Sequence, residues 1–199
     1  MRSFGVLVVV MTAGSALAQD FPEFADAKTI EQCVKLYRSE KKQAPTAVVR
    51  GLSTEAADCT RRVMNARLDV LLVPWKKSDA TKFKQGMEAQ KLFNQAVKGY
   101  CSRWERWYAD CCSTCSYTEE PECEMDFHAA RFAQVDAVLS KKPLADAPAP
   151  TRARTQDFAA FAKAWCALLA EGEGCEARVL GGLEAGQRDD GRELSCRRK

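Results

Sequence analysis

The 199-residue chain has one histidine, His128, no glycine-rich phosphate loop, no run of alternating β-branched residues and no apolar stretch long enough to span a bilayer. Each absence removes a class of protein. A lone histidine without a nucleophile-elbow motif leaves no catalytic dyad to assemble. His128 reads instead as an ordinary helix residue, four beyond Glu124 and placed to pair with it. Without period-two patterning there is no strand, so the fold class is all-α. A membrane span needs about 20 predominantly apolar residues, and the one greasy segment, near the N-terminus, is shorter and broken by Gly14 and Ser15. Charge of one sign is lacking too: 30 Lys and Arg against 27 Asp and Glu leave +3, without the strongly basic face that nucleic acid demands. The chain shows no internal repeat. The expectation is a protein that is not an enzyme and carries no cofactor.

What is there begins with Arg2, the apolar run Phe4 to Met11 and the small-residue site Ala16-Leu17-Ala18. This pattern predicts a secretory signal peptide over residues 1–18, cut after Ala18, and a periplasmic or extracellular mature chain. Gln19 stands where a lipoprotein would have cysteine, so no lipid anchor is expected. Ten cysteines follow: Cys33, Cys59, Cys101, Cys111, Cys112, Cys115, Cys123, Cys166, Cys175 and Cys196. An even number in an oxidising compartment reads as five disulfides. Seven precede the Pro-rich stretch Lys141 to Thr155 and three follow it. Both counts are odd, so complete pairing within the chain requires at least one bridge across that stretch.

Helical periodicity divides the rest. Thr29 and Gln32 form a capping box for a first helix with Ile30, Cys33, Val34 and Tyr37 on one face, ending at Lys41-Lys42. Ser53 or Thr54 opens a second helix, with Cys59, Val63, Ala66 and Val70 as its stripe, stopped by Pro74. Ser78 caps a third, whose stripe of Phe83, Met87, Gln90, Val97, Cys101, Trp104, Tyr108 and Cys111 predicts about 50 Å of helix at 1.5 Å per residue. Phe93, Ala96, Tyr100 and Trp107 widen that face. Cys112 to Glu122 reads as a loop. A fourth helix carries Cys123, Phe127, Phe132, Val135 and Leu139 and lies antiparallel to the third. Beyond the prolines, Thr155 caps a fifth helix with Phe158, Phe161, Trp165, Leu168 and Leu169, ended by Gly172. Cys175 to Leu183 forms a short last helix. The predicted architecture is a disulfide-stapled helical bundle with one long central helix: a domain over 19–140, a Pro/Ala-rich connector over 141–155 and a stapled C-terminal helical arm over 156–199.

One constellation is specific. Ala89-Gln90-Lys91-Leu92-Phe93 is followed by Cys101 eight residues after Phe93, and Cys123 by Phe127, Arg131 and Val135 at four, eight and twelve residues. Together with Cys33, Cys59, Asn65, Leu68 and Leu71, this resembles the LprI-like lysozyme-inhibitor family over about residues 30–140. Phe93 departs from that family's usual Trp, its first cysteine pair is closer in sequence, and Cys111, Cys112 and Cys115 are additions. The resemblance implies an exported helical domain with bridges Cys33 to Cys59 and Cys101 to Cys123. The three added cysteines would then face Cys166, Cys175 and Cys196.

The resemblance also implies a protein partner, a lysozyme among the candidates. Glu119, Glu120, Glu122, Glu124 and Asp126 crowd the start of the fourth helix, and an acidic knob could steer toward a cationic cleft. Glu119, Glu120, Glu122 and Glu124 are the candidate binding residues. Carboxylates at a helix N-terminus also complement its dipole with no partner at all. The alternatives are zinc or copper held by Cys111, Cys112, Cys115 and Cys123, or a purely structural envelope role. Trp104, Trp107 and Tyr108 could stack on sugars, but their spacing is that of core residues, and the basic tail Arg192 to Lys199 reads as solvated.

Overall fold

The computed structural model describes residues 21–111, 118–144 and 152–185, with backbone alone at 22, 104–105, 107–111, 152–154 and 184–185. Among them are seven helices and no strand: α1 Pro22–Asp26, α2 Ile30–Lys41, α3 Thr46–Ser78, α4 Ala80–Cys111, α5 Glu119–Leu139, α6 Arg152–Leu169 and α7 Cys175–Ala185. The protein is all-α and stapled by disulfides. No described helix is long and apolar enough to cross a membrane.

Local chemistry sets the boundaries. At α2 the capping box forms as expected: Thr29 Oγ1 accepts from the Gln32 amide at 3.1 Å and Gln32 Oε1 from the Thr29 amide at 3.1 Å. α3 starts at Thr46, well before the expected caps Ser53 and Thr54. Those hydroxyls donate back to the Arg50 carbonyl at 2.8 and 3.1 Å, the habit of Ser and Thr inside a helix. Nor does Pro74 stop α3, which runs on to Ser78. Pro74 is exposed, and the carbonyl deprived of its donor, that of exposed Val70, lies on the same wet side of the helix. Ser78 does not cap α4, because its hydroxyl donates to the Pro74 carbonyl at 3.0 Å. Asp79 does so, accepting from the Lys82 amide at 2.9 Å, while its own amide closes α3 on Trp75 at 2.8 Å.

This one-residue turn folds α3 and α4 into an antiparallel hairpin. Seven residues on either side of Asp79, Gly86 comes so close to Leu72 that a Cβ there would sit 2.5 Å from Leu72 Cδ2. α5 begins at Glu119, so residues 119–122 are helix where a loop was expected. Pro121 misled the reading, since in a first turn proline gives up an amide that has no intrahelical partner anyway. α6 begins at Arg152, leaving Thr155 inside the helix instead of at its cap, and ends at Leu169 with left-handed Ala170, φ 53°, ahead of Gly172.

The buried residues fall into two clusters. One joins α1, α2 and the first half of α3 through Phe24, Tyr37, Leu52, Ala56 and Val63, with Met125 of α5 closing it. The other joins the second half of α3 to α4, α5, α6 and α7. Its centre is aromatic: Phe127 stacks on Phe158 at 4.8 Å, and Phe93 meets Phe161 edge-on at 5.2 Å. The expected stripe of α3 holds at Cys59 and Val63, which are buried, but not at Ala66 and Val70, which are exposed while Met64, Leu68, Leu71 and Leu72 are buried. Met87 of α4 is also exposed.

Cross-helix contacts fix direction. Gln90 against Arg131 and Cys101 against Cys123 make α4 and α5 antiparallel, whereas Thr60 against His128 and Arg67 against Asp136 make α3 and α5 parallel. Phe127 with Phe158 and Arg131 with Trp165 make α5 and α6 parallel as well. A parallel pair needs a connection that returns along its own length, and for α3 and α5 that connection is α4.

Three disulfides join described residues: Cys33 to Cys59, Cys101 to Cys123 and Cys166 to Cys175, and none of these cysteines is free. The first two match the pairs the resemblance implies. The third corrects the expectation that Cys166 and Cys175 face Cys111, Cys112 and Cys115. They lie nine residues apart on the facing ends of α6 and α7 and close on each other. The expected bridge across the Pro-rich stretch involves residues outside those described.

Candidate functional site

The acidic start of α5 is the constellation that sequence reading singled out. The structure divides its carboxylates. Glu119 is buried, and Glu122 is turned toward α2, where it accepts from the Tyr37 hydroxyl and the Lys41 ammonium. Both serve packing between helices. Glu120 accepts from Ser102 Oγ of α4 and Glu124 is half-buried beside it. The Cys101 to Cys123 bridge pins this turn of α5 to α4, so the two side chains start from a fixed backbone.

Glu124 is electrostatically uncomfortable. Burial raises its pKa above the usual carboxylate range, the negative charges of Glu120 and Asp58 raise it further, and Arg61 and Lys98 only partly oppose them. Arg61 is itself engaged with Asp58. The arrangement leaves Glu124 as a partly desolvated carboxylate among like charges, poised to take a cation or a proton.

His128, which the spacing placed to pair with Glu124, has Thr60 as a hydrogen-bond partner. It is 3% exposed and sits across the α3–α5 interface from Thr60. The Thr60 hydroxyl donates to the Ala57 carbonyl at 2.9 Å, which leaves its oxygen to accept from His128 Nδ1 at 3.0 Å. Burial, seconded by Arg61, pulls the imidazole pKa from 6.5 to about 4. Helix α5 presents His128 to α3 because Phe127 on the adjoining face is already committed to α4 and α6.

A second cluster gathers the residues that carry the family resemblance. Arg131 is fully buried and no acid faces it among its bonded partners. Its Nε donates to Gln90 Oε1 at 3.4 Å and Nη1 to Gln134 Oε1 at 3.3 Å, while the guanidinium lies 3.7 Å from the centre of the Trp165 ring and 4.7 Å from that of Phe161. Phe93 stands 5.7 Å away on the same side of the core. Burial lowers the guanidinium pKa to about 9, still above neutrality, so the ring faces and amide oxygens offset a full positive charge. The signal for this site was present in the sequence: an arginine at a stripe position between Phe127 and Val135, four residues from each. Ala89, Gln90, Phe93 and Arg131 are therefore core residues, and they specify packing, not a surface.

The zinc or copper alternative loses a ligand, since Cys123 is bonded to Cys101. Cys112 and Cys115, and the side chains of Cys111, Trp104, Trp107 and Tyr108, lie outside the description, as does the basic tail. Among the described residues no group of three or more His, Cys, Asp or Glu is placed to hold a metal ion. Fold and site together define a disulfide-braced all-α protein with an acidic helix start. No protein-family model, curated protein or solved structure matches the chain.

Proposed function

We propose that this chain is an exported binding protein whose acidic α5 turn docks on a basic protein partner, with a lysozyme as the specific partner that the LprI-like resemblance implies. The observation that carries the reading is Glu124, a half-buried carboxylate whose pKa is raised by burial and by Glu120 and Asp58, with Arg61 and Lys98 opposing only in part among the described residues. A cation delivered by a partner would relieve that repulsion, and a backbone fixed by Cys101 to Cys123 loses little entropy on docking. The near-neutral overall balance does not oppose this, because steering depends on the local field more than on the net charge.

The test is a turbidity assay with a C-type lysozyme. The processed protein should protect cell-wall substrate at micromolar concentration, and Glu124→Gln should weaken protection while Lys84→Gln, on exposed α4 surface, leaves it unchanged. Absence of protection would end the lysozyme version. The same substitution has a second readout. A folded-state pKa raised above its unfolded value means that ionised Glu124 opposes folding as pH rises through the folded pKa. Glu124→Gln should therefore raise the denaturation midpoint at pH 7, with the advantage gone at pH values below the ordinary carboxylate pKa of 4.5. A midpoint that does not move would show the carboxylate to be at ease in the fold.

A further inference from the structure

The outer face of α2 takes no part in the acidic site. Ile30 and Val34, with Phe132 of α5, floor an open groove of about 870 Å³, along which Lys35, Arg38 and Lys42 stand. The three apolar residues are half-buried and the three cations exposed. None of the three cations has an ion-pair partner among the described residues. Neighbouring cations are used internally: Lys41 by Glu122, Arg62 by the carbonyls of Phe24 and Ala27, Arg67 by Asp136. The one carboxylate in the groove wall, Glu31, lies in the first turn of α2, where it answers the helix dipole.

The dipole accounts for less of the basic stripe. Arg38 and Lys42 lie near the C-terminus of α2, where cations are favoured, but Lys35 is mid-helix and the dipole says nothing about a recessed apolar floor. That floor is rigid. Ile30 and Phe132 each pack against both core clusters, and α2 is held by its capping box at one end and by Cys33 to Cys59 in its body.

We propose that this groove binds an acidic amphipathic segment of a partner protein. Apolar side chains of the segment cover Ile30, Val34 and Phe132, and its carboxylates meet Lys35, Arg38 and Lys42. Those cations rise about 4.5 and 6 Å from one to the next along α2, the spacing of carboxylates one turn apart on an opposing helix. An anionic lipid surface fits less well, because a membrane-binding helix projects its apolar residues beyond its cations, and here they lie beneath them.

Fluorescence polarisation on the full processed protein tests this with two labelled peptides of about five helical turns. One alternates Leu and Glu in an amphipathic pattern; the other replaces every Glu with Lys. The Leu/Glu peptide should bind saturably, and Lys35→Glu, Arg38→Glu and Lys42→Glu together should weaken it by about tenfold or more. That triple variant should gain affinity for the Leu/Lys peptide. Circular dichroism confirms its helix content, and Val34→Ser, which leaves the charges alone, should also weaken binding of the Leu/Glu peptide. No saturable binding of the acidic peptide, or binding that the triple variant leaves unchanged, overturns the inference. So does binding to phosphatidylglycerol vesicles that the triple variant abolishes while the acidic peptide stays unbound.

Discussion

Protonating His128 places a buried charge between two helices, beside a threonine oxygen and a backbone carbonyl and within the field of Arg61. Its folded-state pKa of about 4 lies below the ordinary 6.5, so the stability it allows is present above 6.5 and is lost as pH falls through the folded value. The difference amounts to about 3 kcal/mol. Denaturant titration at pH 7.5 and pH 4.5 should show wild type losing about 2–3 kcal/mol more than His128→Gln; parallel losses would mean that the imidazole is accessible to solvent. Arg131 poses the opposite problem, a permanent charge already paired with ring faces and amides. Arg131→Ala should cost about 3–5 kcal/mol, through the cavity and the orphaned Gln90 and Gln134 oxygens, while Arg131→Met, close in volume, spares the cavity and should cost about 1–3 kcal/mol. A Met variant as damaged as the Ala variant would show that the charge itself specifies the core. Glu124 was singled out by sequence crowding, but the reorientation of Glu119 and Glu122 was not visible there. Which side of a first turn faces a neighbouring helix depends on Tyr37 and Lys41, more than 80 residues away.

At the level of helices, termini show what patterning can and cannot convey. Thr29 and Gln32 were legible because a capping box is local chemistry. Pro74 and Pro121 were misread because proline acts differently near either end of a helix from how it acts in the middle. Ser53 was misread because its hydroxyl has two local options and the helix had already begun. The end of α5 carries a cost. Lys141 is left-handed, φ 53°, with the Lys142 amide bonded to Ala137 at 2.9 Å and its own to Val138 at 3.1 Å. These bonds form the terminating motif that favours glycine. Lys141→Gly should therefore stabilise the fold by about 0.5–1 kcal/mol, net of the greater freedom of glycine in the unfolded chain, as thermal melts would register. A decrease would mean that the lysine side chain contributes through contacts of its own.

For the whole molecule, the helical class and two of the pairings were readable, and the third was not. Cysteine parity counts bridges across a boundary but says nothing about which thiols meet; the meeting of Cys166 with Cys175 follows from the turn between α6 and α7. With that pair closed, complete oxidation requires Cys196 to join one of Cys111, Cys112 and Cys115, and non-reducing peptide mapping should recover that link beside the three described. A map in which Cys196 is free, or bonded to another molecule, would remove the parity argument. The division into a domain and an arm was a matter of sequence composition. Phe158, Phe161 and Trp165 are fully buried in the larger core with α4 and α5, as a stapled arm requires.

Among the described residues α3 is the helix that contributes extensively to both cores, over 33 residues, with Leu52 to Val63 in one and Met64 to Leu72 in the other. It therefore acts as a shared spine: loosening either half transmits to the other through a continuous ladder of amides. The slowest deuterium uptake should fall at its middle, around Val63 and Met64, where opening requires both halves to give way at once.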